Sequence, residues 1–179
     1  MGKRILVILS GRSDGNTNIL CDEFINGAKE AGNYVEKLLI NDKIINYCLG
    51  CRACRLHNGV CIHKDDMIEV LDKIINSDVI VFASPVYFYS FNAQMKAVMD
   101  RTYAKVNIIK DKETYLIITG AAPTKEYMSI IVDSFKKYID CFENIKLSGI
   151  IYGCRAISKG NLKEGSVIKE AYSMGSTIK

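Results

Sequence analysis

The chain lacks an apolar run of about eighteen residues, which is the length that a helix needs to cross a bilayer. Its first apolar run, Ile5 to Leu9, is too short for the core of a signal peptide. No stretch rich in glycine, serine or proline divides the 179 residues into separate domains. We therefore expect one cytoplasmic domain over residues 1–179 that does not contact a membrane.

The chain also has little excess charge of either sign. Its 24 lysines and arginines stand against 20 aspartates and glutamates, and the basic residues are dispersed along the sequence. A net charge of +4 suits a small anionic ligand but does not indicate nucleic acid binding. We therefore expect small-molecule partners and no nucleic acid.

Cysteine, in contrast, is concentrated in one loop at about residues 46–64. Four cysteines there follow the spacing C-x2-C-x2-C-x6-C: Cys48, Cys51, Cys54 and Cys61. A reducing compartment disfavours a disulfide framework, so the spacing points first to a metal centre. Three thiolates at successive x2 intervals are typical of a [4Fe-4S] cluster, whereas structural zinc usually takes two separated C-x2-C pairs. Reduced redox thiols, a regulatory disulfide and zinc remain as alternatives.

The remaining cysteines and the two histidines are weaker candidates as ligands. His57 and His63 flank Cys61, but four thiolates already complete a metal site. The other three cysteines fall in or beside apolar segments and are predicted to be inert buried thiols: Cys21, Cys141 and Cys154.

Short apolar runs alternate with amphipathic stretches along the chain, which is typical of βαβ units. The predicted strands are Arg4 to Leu9, Tyr34 to Ile40, Val79 to Ala83, Thr114 to Thr119 and Ile145 to Tyr152. The predicted helices are Thr17 to about Ala31, a helix beginning at Asp65, Asn92 to about Tyr103, about Lys125 to Cys141, and about Lys163 to Met174. In the second helix Met67, Ile68, Leu71, Ile74 and Ile75 are expected to point inward.

This alternation predicts an α/β fold with a doubly wound five-stranded parallel sheet and helices on both faces. The order 2-1-3-4-5 fits a five-stranded chain best. In that order the switch point lies between strands 1 and 3, and ligands bind beyond the carboxyl ends of those strands. The loops at that point should therefore carry the binding residues.

The first loop, residues 10–18, combines hydroxyl and amide side chains with two glycines at the start of a helix, where Thr17 can act as the cap. Free backbone N–H groups at a helix N-terminus form an anion site. No lysine precedes Thr17, so this is not a nucleotide triphosphate loop. A phosphate monoester fits better, and the candidate ligands are Ser10, Arg12, Ser13, Asn16, Thr17 and Asn18. A turn and helix cap without a ligand is the alternative.

Two further loops can hold a flat ligand. Residues 84–91 carry four aromatics in five positions, and candidate contacts there are Pro85, Val86, Tyr87 and Phe88. Residues 119–124 are small, and Gly120 and Ala121 would let the backbone approach a ligand closely. Core packing or dimer contact is the alternative for the aromatics, and an ordinary turn is the alternative for the small residues.

Together these motifs resemble the flavodoxin-fold NAD(P)H-dependent FMN reductase-like proteins, and within them the iron-sulfur flavoproteins. The resemblance depends on residues 10–18, on the four-cysteine spacing and on three shorter motifs. Those motifs are Asp65-Asp66-Met67, Ser84-Pro85-Val86-Tyr87 and Met95-Lys96-x3-Asp100-Arg101. One departure is Gly11, where the family often has proline.

The resemblance implies FMN at the switch point, with its phosphate on the 10–18 loop and its ring near residues 85–89 and 119–122. It also implies a homodimer or homotetramer that completes the flavin pocket. The expected function is an FMN-dependent oxidoreductase that passes electrons from NAD(P)H to a quinone, flavin, cluster or protein acceptor. The alternatives are a non-catalytic FMN and Fe-S electron carrier partnered by a ferredoxin-like protein, and a thiol redox sensor.

No catalytic acid or base follows from the sequence. Tyr87 and Arg101 are the candidates for such a role. Tyr87 is equally suited to stack on a ligand ring, and Arg101 is expected to form an ion pair with Asp100 at a helix end. Asp65 and Asp66 are interpreted as the N-cap and first-turn charge of their helix.

Overall fold

Strands form where the sequence has short runs of apolar, often β-branched residues, and helices form where apolar residues recur at a helical period. The computed structural model describes residues 2–179. The strands are β1 (Arg4–Leu9), β2 (Tyr34–Leu39), β3 (Val79–Tyr87), β4 (Ser90–Phe91), β5 (Lys110–Thr119) and β6 (Glu143–Gly153). The helices are α1 (Asn16–Glu30), α2 (Ala53–Leu56), α3 (Met67–Asn76), α4 (Ala93–Arg101), α5 (Ser129–Ile139) and α6 (Ser166–Ser176). Short 3-10 helices cover Ile40–Asp42, Thr102–Lys105 and Lys125–Met128.

The main sheet is parallel and has the strand order β2-β1-β3-β5-β6. This order confirms the predicted doubly wound, flavodoxin-like fold. One strand, β4, was not predicted. It pairs antiparallel with the end of β3. The chain therefore leaves the sheet through a short hairpin, where the sequence had indicated a loop.

The alternation of side chains along β1 divides the core into two layers. Ile5, Val7 and Leu9 pack with α1 and α6 on one face of the sheet. Leu6 and Ile8 pack with α3, α4 and α5 on the other face. Because both faces are covered, β1 is apolar along almost its whole length.

Helices α1 and α6 lie in direct backbone contact. A Cβ on Gly27 would collide with the carbonyl oxygen of Tyr172, and a Cβ on Gly175 would collide with that of Phe24. Glycine at these two positions therefore lets the helices approach more closely than side chains would allow.

Several predicted helix details need correction. The N-cap of α1 is Gly15, and Thr17 lies inside the first turn. Ile68 is exposed, whereas Val70 is buried, because the buried stripe of α3 recurs at residues 67, 70, 71 and 74. The predicted helices ending near Tyr103 and starting near Lys125 contain the 3-10 segments given above. Of the helices within residues 2–179, none is long and apolar enough to cross a bilayer.

Candidate cofactor sites

The carboxyl ends of β1 and β3 are tied together by Asn92, the N-cap residue of α4. Its side-chain Nδ2 donates to the carbonyl oxygen of Ser10 at 2.7 Å, and its Oδ1 accepts from the backbone N–H of Met95 at 3.1 Å. The Ser10 hydroxyl donates to the carbonyl oxygen of Ala83 at 3.2 Å. Ser10 is therefore used to join the two strands, and its side chain is only 1% exposed.

The first turn of α1 faces this rim without a side-chain cap. Gly15 has no side chain to cap it, and the turn contains no acidic residue. Its N–H groups therefore keep the partial positive charge of a helix N-terminus. Two cations lie beside this turn: Arg12 and Lys159 both contact the carboxylate of Asp14.

The carboxyl end of β5 joins the same site through a hydroxyl pair. The hydroxyls of Thr17 and Thr119 lie 2.6 Å apart and are buried. The side chain of Asn16 donates to the carbonyl oxygen of Ser158 at 2.8 Å and to Oδ1 of Asn161 at 2.9 Å. These bonds bring the loop after β6 against the start of α1.

Between these loops lies a cavity of about 410 Å³. It is lined by Gly11, Arg12, Gly15, Asn16, Thr17, Pro85, Val86, Tyr87, Thr119, Gly120, Ala121, Ala156, Ile157, Ser158 and Lys159. The three loops indicated by the sequence therefore meet at one cavity, which has a size typical of small-molecule sites. Residues 156–159 were not predicted to line this cavity, although a lysine shortly after the last strand was a usable signal.

Four of the predicted ligand residues lie outside this cavity wall, as far as residues 2–179 are concerned. Ser10 is buried behind it, Ser13 is exposed in the loop, and Asn18 bonds Asp22 and Lys37. Phe88 is 100% exposed at the hairpin turn. Each of these residues lies in or beside a loop that lines the cavity, but the direction of its side chain depends on the local backbone geometry.

The turn between β3 and β4 consists of Phe88 and Tyr89, with φ angles of 48° and 63°. Positive φ at both central residues is the pattern of a type I′ turn, which usually contains asparagine and glycine. Here two exposed aromatics occupy it. The hairpin thus presents aromatic side chains next to the cavity wall formed by Tyr87.

The four cysteines of the loop line a second cavity, of about 620 Å³. Its aromatic wall comes from Tyr103, Tyr138 and Phe142, after α4 and at the end of α5. Within the described part of the chain, no three His, Cys, Asp or Glu side chains converge closely enough to hold a metal ion. The donor set of four thiols nevertheless has the chemistry that a cluster requires.

The cysteine loop is fastened to the 3-10 helix at Thr102–Lys105. The Nε of Arg55 donates to the Tyr103 hydroxyl at 2.8 Å, and its guanidinium carbon lies 4.8 Å from the centre of that ring. Gly59 packs so closely that an added Cβ would come within 2.6 Å of the carbonyl oxygen of Ala104. The loop leaves the sheet at the flavodoxin-type rim but lies against α4 and α5.

A buried ion pair supports the base of this loop. Arg101 donates two hydrogen bonds to Asp65, at 2.8 and 2.9 Å, and both side chains are 2% exposed. Burial raises the pKa of the Asp65 carboxyl, but the hydrogen bonds from Arg101 and Asn46 outweigh it and hold this pKa well below its usual range. Arg101 therefore pairs with Asp65, and the predicted pairing with Asp100 is wrong, since Asp100 contacts Lys96.

The three remaining cysteines differ in exposure. Cys21 is fully buried, and burial raises the pKa of its thiol, as expected of an inert cysteine. Cys154 is partly buried, and burial raises its pKa as well. Cys141, predicted to be buried, is exposed and lines the cysteine cavity, because α5 ends before it.

The first two thirds of the chain match a protein family. The model of the family described as NADPH-dependent FMN reductase matches residues 3–126. This span includes the cysteine loop and all three predicted loops of the 410 Å³ cavity, but not residues 156–159.

Two curated proteins show local similarity. The chain is 39% identical over 99 residues to an iron-sulfur flavoprotein of Archaeoglobus fulgidus, covering 55% of this chain and 44% of that protein. It is 41% identical over 93 residues to an iron-sulfur flavoprotein of Methanocaldococcus jannaschii, covering 52% and 48% respectively. The chain spans about half the length of these curated relatives.

One solved structure resembles the chain over nearly its whole length. It is an NAD(P)H:quinone oxidoreductase from Methanothermobacter marburgensis, with a TM-score of 0.74 and 15% identity, covering 98% of this chain and 96% of that one. At this identity the likeness concerns the fold alone.

Proposed function

The chain belongs to the NADPH-dependent FMN reductase family, and from this premise we propose that it is an FMN-dependent oxidoreductase similar to the iron-sulfur flavoproteins. It takes electrons from NAD(P)H and passes them through FMN to a quinone, a flavin, a cluster or a protein. The observation that carries this proposal is the 410 Å³ cavity at the switch point of the sheet, where three loops and the start of α1 meet.

The phosphate of FMN binds at the start of α1. The uncapped first turn offers backbone N–H groups, and Arg12 and Lys159 supply positive charge. Asn16 and Thr17 contribute through their backbone, because their side chains already bond Ser158 and Thr119. The charged end of the ligand thus lies where the helix dipole favours an anion.

The ring of FMN lies between the β3 and β5 loops. Pro85, Val86 and Tyr87 form one wall, and Gly120 and Ala121 form the other. A Cβ on Gly120 would lie 3.3 Å from the Cβ of Val86, so glycine keeps the gap between the loops open. FMN, when bound, accepts a hydride from reduced nicotinamide and releases electrons singly or in pairs.

A [4Fe-4S] cluster is held by Cys48, Cys51, Cys54 and Cys61. Support comes from their spacing, from their shared cavity and from the names of the similar proteins. Protein contacts also hold the loop, through Arg55 on Tyr103 and the close contact of Gly59 with Ala104. A cluster, when bound, exchanges single electrons.

The protein assembles as a homodimer or homotetramer that completes the flavin pocket. Tyr87, Phe88 and Tyr89 stand exposed beside the cavity, and exposed aromatic groups of this kind are common in interfaces. Sedimentation at several concentrations, with and without FMN, measures the assembly. A monomer under all of these conditions would contradict it.

The reductase proposal is tested by steady-state oxidation of NADH and NADPH, with free FMN or a quinone as acceptor. Turnover is expected with at least one combination of nicotinamide and acceptor. Absence of turnover with both nicotinamides would favour an electron carrier that a ferredoxin-like protein reduces. Flavin, iron and zinc content after oxygen-free purification then separates the cofactor assignments, because a thiol sensor would contain flavin without iron.

A further inference from the structure

Two buried side-chain atoms in the described residues lack a hydrogen-bond partner, and both lie at the cysteine loop. They are Nε2 of His63 and Nε of Arg101. His63 lines the cysteine cavity, and Arg101 lies between two residues that line it, Asp100 and Thr102. Buried polar atoms nearly always have a partner, so the orphaned Nε2 of His63 in the wall of this cavity points to a missing group.

The surroundings indicate what kind of group would satisfy them. Asp65 binds the guanidinium of Arg101 through its two terminal nitrogens. The remaining Nε–H can only donate, so it requires a hydrogen-bond acceptor. Burial lowers the pKa of Arg101, but its hydrogen bonds to Asp65 outweigh this effect. His63 shares the wall of its cavity with the four loop cysteines, so the missing group is a hydrogen-bond acceptor close to their sulfur atoms.

We propose that the Nε2–H of His63 donates a hydrogen bond to a sulfur atom of the iron-sulfur cluster held by the four loop cysteines, and thereby raises its reduction potential. His63 is a positioning and tuning residue in this proposal, and it is not a ligand. The inference rests on the cluster assignment made above. It does not depend on the identity of the electron acceptor.

The physical reason is the charge that the cluster gains on reduction. A donor aimed at sulfur stabilises the more negative reduced state more than the oxidised state, so it raises the potential. Arg101 carries the second orphaned donor, but it does not line the cysteine cavity. Arg101 is unsuitable as the test position, however, because its removal leaves Asp65 buried without a partner.

The test uses His63→Leu, His63→Gln and His57→Leu in the full chain, purified and reconstituted with iron and sulfide without oxygen. Leucine removes the donor, whereas glutamine keeps an N–H near the position of Nε2. His57 is exposed in the same loop and serves as the matched control. The midpoint potential of the cluster is measured by titration monitored with electron paramagnetic resonance, together with iron content.

We expect His63→Leu to lower the equilibrium constant for reduction of the cluster about tenfold. This corresponds to a midpoint potential lower by about 59 mV for a one-electron couple. His63→Gln should recover most of this shift, and His57→Leu should match the wild type. An unchanged potential in iron-loaded His63→Leu, or an equal shift in His57→Leu, would overturn the role of His63 and leave the cluster assignment intact. A wild type without iron would overturn both, while the NADPH oxidation assay would still test the flavin reductase.

Discussion

At the scale of single residues, the ion pair between Arg101 and Asp65 is the clearest case of a role that depends on distant neighbours. Both residues belong to motifs noticed in the sequence, but their 36-residue separation gave no sign of pairing. Their side chains are almost completely buried, so each neutralises a charge that would otherwise be costly. The pair connects the end of α4 to the segment that follows the cysteine loop.

Removing one partner of this pair should destabilise the protein strongly. We expect Asp65→Asn to lower the free energy of unfolding by about 3 to 5 kcal/mol, because Arg101 is left as an uncompensated buried charge. Asp100→Asn is the matched control, since its pair with Lys96 is exposed and should contribute about 0 to 1 kcal/mol. Urea unfolding monitored by circular dichroism measures both values.

The same variant has a defined pH dependence. Because the folded pKa of Asp65 is depressed, its contribution to stability is present above the unfolded pKa, about 3.9, and is lost as pH falls through the folded pKa. The difference between wild type and Asp65→Asn should therefore be constant from about pH 5 to 8 and shrink only in stronger acid. A difference that disappeared at neutral pH would contradict this assignment.

Arg12 is the residue on which the phosphate assignment can be tested most directly. Arg12→Ala should weaken FMN binding by about 1.5 to 3 kcal/mol, the range for a charge-assisted hydrogen bond. Arg52→Ala serves as a control, because Arg52 carries the same charge but lies at the cysteine cavity. Fluorescence quenching of FMN measures the affinity. Equal effects of both substitutions would mean that general charge, and not a phosphate contact, is responsible.

At the scale of elements, the hairpin between β3 and β4 shows why a strand was predicted too short. The aromatic run after Ala83 was interpreted as a loop, but its backbone continues to pair through Tyr87. The turn contains Phe88 and Tyr89 where a turn of this type favours asparagine and glycine. Its sequence therefore carries no turn signal, and only the pairing of Val86 with Phe91 reveals the hairpin.

Replacing Phe88 and Tyr89 together by Asn and Gly separates the stability of the hairpin from its function. The substitution relieves positive φ at two non-glycine residues and should raise the free energy of unfolding by about 1 to 2 kcal/mol. It should also weaken the proposed dimer, because it removes two exposed aromatic groups. Thermal unfolding and sedimentation provide the two measurements. A destabilised variant would mean that these aromatics have a structural role.

The cysteine loop is the second element whose position could not be predicted. The sequence correctly brought the four cysteines to one loop, but nothing in it indicated that Arg55 would stack on Tyr103 or that Gly59 would contact Ala104. These contacts depend on where α4 ends. They also explain why the cysteine cavity and the 410 Å³ cavity have different walls.

At the scale of the whole molecule, the two core layers and the contact of α1 with α6 hold the rim of the sheet in place. The helix that offers its N-terminus to the 410 Å³ cavity is fixed by the terminal helix behind it. The last helix therefore influences the site although it contributes no residue to the cavity wall.

Gly175→Ala tests this coupling. The new Cβ would collide with the backbone of α1, so we expect a loss of about 1 to 3 kcal/mol in unfolding free energy. Gly165→Ala is the control, because a Cβ there meets atoms only at ordinary distances of 3.6 to 3.9 Å. Chemical denaturation measures the two variants. If Gly175→Ala were as stable as the control, the close contact between α1 and α6 would contribute nothing to the free energy of unfolding.

The sequence alone determined the strand order, the two core faces and the grouping of candidate residues into loops at one rim. It could do so because hydrophobic periodicity and parallel connections depend on local pattern. It also determined the cysteine spacing, which is a property of one short segment.

Only the tertiary structure decided which side chains face a cavity and which bond to the protein itself. Ser10 and Asn18 have suitable chemistry for a phosphate, yet their side chains bond Ala83 and Asp22. Lys159 lines the 410 Å³ cavity and Cys141 lines the cysteine cavity, although each lies far in sequence from most of the other lining residues. Such contacts form between residues far apart in sequence, so no local pattern encodes them, and packing of the helices on the sheet selects them.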